Sequence, residues 1–346
     1  QNSEPVLCPD WMSRLSDDLP TSAITIPGTH DSAAYTLSWP FVQTQKIDIP
    51  SQLNAGIRYF DFRCALNDDD EEQVHGSTYL GLHLAAVLAT IYTWLDQHPT
   101  EAVFIQIKRD VKCKGCHVHF AHAVTTVIAQ GSAYWRTSNT TPALGSLRGR
   151  IQLFRRFIGP TLDAYGIDVT QWLDNPPRPF TITGPGHHIT IQDHYSFPDC
   201  DSLGALLAAK GGAVSGLLHR ADTDPDPRSW YVNFTSAFEF TLYRQFSPRA
   251  VALGGWWRFR WHTGMNRRLR AFLAQRDGRP ARLGVILMDF PDQGAVDLIA
   301  ALIETNFEGA KGAGARRSRW WRAVFVVLLL CGVVVRLLGG RWIDGP

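Results

Sequence analysis

The sequence predicts an α/β fold, a TIM-type (β/α) barrel followed by a C-terminal apolar helix. Two observations carry the barrel. Short apolar runs rich in β-branched and aromatic residues recur between residues 23 and 288, and helix-like stretches separate several of them. The runs are Ala23–Ile26, Ile57–Phe62, Ala102–Ile107, Ile151–Phe154, Phe180–Thr183, Ile189–Gln192, Tyr231–Phe234 and Leu283–Met288. They are continuous rather than alternating, as in strands buried on both faces of a parallel sheet. The intervening helices are expected at Leu82–Gln97, Ala121–Ala129, Leu203–Ala209 and Met265–Gln275. About eight such strands in one domain favour a closed barrel over an open doubly wound sheet. A catalytic barrel is expected over 1–310, a basic linker over 311–322 and a membrane-spanning segment over 323–338.

Hydrophobic residues make up 45% of the 346 and the formal net charge is +2. A near-neutral balance argues against nucleic acid as a partner, because such binders carry a basic excess over the fold. Cys113-Lys114-Gly115-Cys116-His117 fits a c-type haem attachment pattern, and His119 and His122 make zinc conceivable, but a local disulfide or two free thiols serve as well. The acidic run Asp68–Glu72 lacks the glycine and spacing of a calcium loop and reads as a solvated turn. The chain starts at Gln1 without a leader; a signal peptide has been removed or the sequence was trimmed.

The chemistry is concentrated at strand ends. Ile24-Thr25-Ile26-Pro27-Gly28-Thr29-His30-Asp31-Ser32 reads as a buried strand ending in a tight turn that presents His30 and Asp31. A second strand ends on Arg63, and Val74-His75-Gly76 follows a short acidic loop. Asp289 closes the last strand. Barrel enzymes place their working groups at the C-terminal ends of strands. Two imidazoles and a fixed cation suit phosphodiester cleavage: one ring removes a proton from the nucleophile, the other protonates the leaving alkoxide, and the cation holds the phosphate oxygens. The competing reading is a structural histidine on two ordinary strands.

The run Ile26–Ser32, the Phe60-Asp61-Phe62-Arg63 strand and the Val74-His75-Gly76 turn resemble the X domain of phosphatidylinositol-specific phospholipase C, most closely the single-domain bacterial-type enzymes. The resemblance continues in order through Glu101–Lys108, Gly149–Arg156, Trp172–Asn175, Ile191–Tyr195, Tyr231–Ser236 and Gly284–Asp289. It implies a TIM-type barrel, distorted or incomplete on one side, that cleaves phosphatidylinositol or a glycosylated relative to diacylglycerol and inositol 1,2-cyclic phosphate. His30 is then the general base for the inositol 2-hydroxyl, and Asp289 fixes its tautomer. His75 is the general acid, with Asp31 oriented toward it, and Arg63 binds the non-bridging oxygens. A guanidinium where the calcium-dependent relatives hold a metal implies no metal and no other cofactor. Lys108, Arg156 and Asp174 match the positions that bind inositol, with Trp172 or Tyr195 as an aromatic platform.

Ser236–Gly264 departs most from the short enzymes, and its Trp256, Trp257 and Trp261, interleaved with arginine, are expected to contact a lipid interface. Trp320 to Leu338 spans 19 residues, close to the roughly 20 that cross a bilayer, which predicts a single-pass C-terminal anchor. Arg341, Asp344 and Pro346 at the end argue against a lipid-anchor signal, and a buried helix is the competing reading. Arginine preceding the span would place the barrel in the cytoplasm, whereas a processed N-terminus and the family's usual setting favour the extracytoplasmic side. Asn139 and Asn233 head acceptor triplets for glycosylation, the second within an expected core strand. The expected partners are a phospholipid and a membrane, with the protein a monomer. Two alternatives are a glycerophosphodiester-type barrel hydrolase, which would need acidic metal ligands beside its histidines, and a non-catalytic lipid-binding module.

Overall fold

Each of the eight apolar runs between residues 23 and 288 contributes to one curled sheet. The computed structural model describes residues 6–67, 70–111, 117–276 and 278–307. The strands of its first half are β1 (Ile26–Thr29), β2 (Tyr59–Asn67), β3 (Asp70–His75), β4 (Thr78–His83), β5 (Val103–Arg109), β6 (Trp135–Arg136), β7 (Ile151–Arg156) and β8 (Ile167–Asp168). Those of the second are β9 (Phe180–Gly184), β10 (His187–Gln192), β11 (Ser229–Phe234), β12 (Glu239–Phe240), β13 (Gln245–Phe246), β14 (Gly254–Trp257), β15 (Arg260–Thr263) and β16 (Val285–Met288). The helices are α1 (Ile49–Ala55), α2 (Leu84–Gln97), α3 (His117–Gln130), α4 (Leu203–Thr223), α5 (Pro248–Leu253), α6 (Met265–Gln275) and α7 (Leu298–Glu304).

Local chemistry sets several boundaries. Asp48 caps α1 by accepting from the Ser51 amide, Pro50 fits its first turn, and Gly56 ends it at φ 107°. Ser202 and Ser247 cap α4 and α5 through the amides of Ala205 and Ala250.

The sheet runs in the order β6-β7-β5-β2-β1-β16-β11-β10-β9, and all these neighbours pair parallel except β10 with β9. Its curl is visible in the core. Trp230 on β11 meets Phe104 on β5 and Phe154 on β7 edge-on, with ring centroids 5.7 and 5.1 Å apart. Those strands are not sheet neighbours of β11, so the rings touch across an interior filled with side chains.

The barrel, expected to be distorted or incomplete on one side, is open: among the described residues the sheet path ends at β6 and at the antiparallel β9. Two expectations are corrected. The first strand begins at Ile26 because Thr21–Ala23 form a 3-10 turn. The C-terminal transmembrane helix, and with it the single-pass anchored location, is not supported: no helix among the described residues is long and apolar enough to cross a membrane. The longest described helix, α4, has 21 residues but carries Lys210, His219, Arg220 and Asp222, too many polar groups for a bilayer interior. Gln1–Phe307 forms one compact unit; the linker at 311–322, the apolar stretch at 323–338 and the Cys113–Cys116 pair lie outside the described residues.

Candidate active site

β1, β2 and β16 lie side by side at the centre of the sheet and deliver the core of the site. Gly28 lets β1 approach β2, since a Cβ there would lie 3.0 Å from both the Cβ and the carbonyl oxygen of Tyr59. The chain then turns sharply: Asp31, directly after His30, has φ 41°, and Phe290, directly after Asp289, has φ 45°. His75 arrives differently, at the end of β3, in an antiparallel excursion that β2, β3 and β4 build beside the parallel sheet.

Asp31, buried to 3% exposure, is the common partner. Its Oδ1 lies 2.6 Å from Arg63 Nε, and its Oδ2 lies 2.9 Å from His75 Nδ1 and 3.6 Å from His30 Nε2. Arg63 also donates to Asp61 Oδ2 at 3.3 Å, and Gln106 Nε2 donates to Asp61 Oδ1 at 2.7 Å. His30 Nδ1 is 2.8 Å from Asp289 Oδ1. A carboxylate only accepts, so His30 carries a proton on Nδ1 and its Nε2 is left for chemistry, whereas His75 Nδ1 stands at ion-pair distance from Asp31 without hydrogen-bond geometry.

Burial alone would raise the Asp31 carboxyl, but Arg63, His75 and His30 together hold it well below the ordinary carboxylate range. Burial would lower Arg63 and is outweighed by Asp31 and Asp61, so this guanidinium stays charged. Burial also disfavours the His30 imidazolium, yet Asp289 and Asp31 overcome it and the ring titrates above its usual value.

These groups open onto a cavity of about 250 Å³ lined by His30, Arg63, His75, Lys108, Arg156, Asp174, Asp193, Tyr195 and Asp289, among others. Lys108, at the end of β5, pairs with Asp110. Arg156, at the end of β7, lies over the Trp172 ring at 4.1 Å, and its Nη1 is buried without a hydrogen-bond partner. Trp172 Nε1 donates to Asp193 Oδ2 at 2.8 Å, and the Tyr195 hydroxyl donates to Asp174 Oδ1 at 2.8 Å. Of the two candidate platforms, Tyr195 lines the cavity, whereas the Trp172 ring is covered by Arg156 and meets Phe234 edge-on. Behind this wall, Lys210 Nζ donates to Gln192 Oε1 and the His194 carbonyl at 3.2 and 2.7 Å, fixing the strand end that carries Asp193 and Tyr195.

The eight sequence-predicted catalytic and inositol-binding residues therefore converge, seven on the cavity wall and Asp31 directly beneath it. Sequence reading missed Asp61, Asp110 and Asp193. The last two stand just past an apolar strand, the same signal that located Arg63 and Asp289. Of the predicted lipid-contact residues, Trp256 and Trp261 are exposed and paired across the β14–β15 hairpin, but Trp257 points back and packs edge-on against Phe246 at 4.8 Å. Atoms of His30, Asp31 and Asp61 lie within 4.8 Å of one another, close enough to hold a cation. Arg63 contacts both of those carboxylates, so the guanidinium supplies the positive charge and would repel a divalent ion.

A family model described as PI-PLC X 1 matches residues 18–127. A 1-phosphatidylinositol phosphodiesterase of Staphylococcus aureus (strain Newman) is 30% identical over 240 residues, covering 66% of this chain and 74% of that one. The chain belongs to the phosphatidylinositol-specific phospholipase C family. A second family member, the 1-phosphatidylinositol phosphodiesterase of Listeria monocytogenes, is 28% identical over 82% of this chain and 81% of its own. The structure of a point mutant of the phosphatidylinositol-specific phospholipase C from Staphylococcus aureus superposes with a TM-score of 0.70 at 26% identity, covering 89% of this chain and 98% of that one. That of the Listeria monocytogenes enzyme gives 0.64 at 25% identity, covering 87% and 100%. The likeness of this family member therefore extends well beyond the X-domain match, over most of the open barrel.

Proposed function

We propose that this chain cleaves phosphatidylinositol, or a glycosylated relative, to diacylglycerol and inositol 1,2-cyclic phosphate without a metal. The observation that carries the reading is the contact of His30, Arg63 and His75 with one buried carboxylate at the mouth of a sugar-sized cavity. His30 Nε2 takes the proton of the inositol 2-hydroxyl, whose oxygen attacks phosphorus. His75, entering as the imidazolium beside Asp31, gives its Nε2 proton to the departing diacylglycerol oxygen as the P–O bond breaks. Arg63 holds the non-bridging oxygens while their charge builds. Asp289 keeps the tautomer of His30 and stabilises its imidazolium, and Asp31 stabilises that of His75 while aligning Arg63. The ring opens to a linear phosphate with water as nucleophile and the two histidines in exchanged roles.

Lys108, Arg156, Asp174, Asp193 and Tyr195 supply donors and acceptors for the remaining hydroxyls. With phosphatidylinositol vesicles and EDTA present, phosphorus NMR is expected to show a cyclic phosphate accumulating before the linear one. Loss of activity on chelation would shift the assignment to a metal-dependent glycerophosphodiester-type hydrolase.

The lipid face of this reading is the β14–β15 hairpin. Phe259 at its tip is fully exposed, Trp256 is 72% exposed, and the two tip residues Arg258 and Phe259 adopt φ 44° and 67°. Positive φ at both central residues is the type I′ geometry that a two-residue hairpin loop requires, and here it holds two large side chains at the tip. The β12–β13 hairpin adds Phe240, Leu242 and Tyr243, all exposed. Replacing Trp256 and Phe259 together by alanine removes enough apolar area to weaken vesicle binding by about tenfold or more. Centrifugation with sucrose-loaded vesicles checks this, and the activity lost should be larger on vesicles than on a monomeric short-chain substrate.

A further inference from the structure

The two backbone turns that carry His30 and Asp289 are both left-handed at a residue other than glycine, Asp31 and Phe290. A side chain with a Cβ crowds the backbone in that conformation, which persists only where its surroundings enforce it. The enforcement comes from the loop between β1 and α1. Gln45 Nε2 donates to the His30 carbonyl at 2.7 Å and to the Met288 carbonyl at 3.0 Å. Thr44 Oγ1 donates to the carbonyls of Asp31 and His30 at 3.0 and 3.2 Å, and the Thr44 carbonyl accepts from the Phe290 amide at 2.9 Å. The His30 amide also donates to the Met288 carbonyl, at 3.1 Å, so one carbonyl ties Gln45, β16 and the catalytic turn together. From the other side, Asn266 Nδ2 reaches the carbonyls of Asp289 and Phe290 at 3.0 and 2.8 Å.

Gln45 and Thr44 are fully buried, and neither lines the cavity. From this we infer that Gln45, assisted by the Thr44 hydroxyl, is a positioning residue: it clasps the two strained turns and so sets the reach from the His30 imidazole to the Asp289 carboxylate. The inference rests on the proposed role of His30 as general base. Gln45 bridges the His30 and Met288 carbonyls, one on each strand end, so together with Thr44 and Asn266 it fixes the distance between the two turns by atoms outside the cavity lining. Three charged groups face the His30 ring: Asp289 from the end of β16, Asp31 from its own turn and Arg63 from β2. Asp289 and Asp31 raise its titration and Arg63 lowers it. Slackening the clasp weakens the Asp289 contact, which shifts the balance downward.

The test is Gln45→Met, which keeps length and removes the donor. A misplacement of about 1 Å at a general base costs up to about 100-fold in rate. The expected result is kcat lowered by about 10- to 100-fold with KM within about threefold of wild type. The acid limb of the pH profile, and the His30 imidazole followed by NMR, should move to lower pH. Thr44→Val should move both in the same direction, and Thr44→Ser should recover most of the loss. A folded Gln45→Met with wild-type kcat overturns the inference, as does a reduced folded fraction with an unmoved acid limb. If Gln45→Met does not fold, the Thr44 pair decides by the same readouts. A wild type that cleaves no phosphatidylinositol defeats the proposed function, while the NMR titration of His30 still judges the clasp.

Discussion

His30→Ala and His75→Ala are each expected to lower the turnover of phosphatidylinositol by about 10²- to 10⁴-fold, the range of a positioned acid or base. Both rings sit at the cavity mouth with side chains 14% and 18% exposed, but each removal leaves a buried carboxylate, Asp289 or Asp31, without its imidazole, so the variants should fold with a modestly lowered melting temperature. The two are separable. An inositol phosphodiester with an aryl leaving group departs without protonation, so it should restore much of the rate of His75→Ala and little of that of His30→Ala. Equal rescue of both, or of neither, would remove the assignment of base and acid. The two rings also differ in setting: His30 Nδ1 is hydrogen-bonded to Asp289 at 2.8 Å, whereas His75 Nδ1 faces Asp31 at 2.9 Å.

Asp31→Asn should be costlier than its conservative appearance suggests. The amide keeps the shape but puts a neutral group between Arg63 and His75, which loses the support of the His75 imidazolium and the aim of Arg63 together. A rate loss of about 10³- to 10⁴-fold is expected, comparable to mis-setting the histidine of a serine protease triad. Removing one member of a buried charge cluster also destabilises the fold, here by about 1–3 kcal/mol because Arg63 and His75 retain some solvent contact. The Asp31 carboxyl is held below its unfolded value, so its contribution is complete above about pH 4 and is lost as pH falls further. Thermal denaturation should therefore show a gap between wild type and Asp31→Asn that narrows as pH falls below about 4. A gap that widens below about pH 4 would mean the carboxylate is not charged in the fold.

Much of the site was legible in the sequence because the chemistry follows apolar runs. His30, Arg63 and Asp289 each end a run that only a buried strand explains, and Lys108 and Arg156 stand in the same relation to β5 and β7. The excursion through β3 and β4 was not legible. β2 continues past Arg63 to Asn67 and pairs antiparallel with β3, where the composition is acidic rather than apolar. Asp31 as a shared acceptor was equally hidden, since its partners come from residues 30, 63 and 75 and only the folded chain brings them together. Trp257 illustrates a third reason. In a hairpin, residues alternate faces, so Trp256 and Trp261 share one side while Trp257 takes the other, and a run of aromatics counted without its period cannot separate them.

The gap in the barrel wall has a bearing on how the molecule softens. The base His30, its partner Asp289 and the Arg63 guanidinium hang from β1, β16 and β2, the keel of the sheet, each flanked by further strands on both sides. Asp174 follows β8, and Asp193 and Tyr195 follow β10, beside the outermost β9. Margins of an unclosed sheet fray first. Gentle heating or dilute urea should therefore loosen the grip on the sugar ring while proton transfer stays intact, so weakening affinity comes ahead of failing turnover.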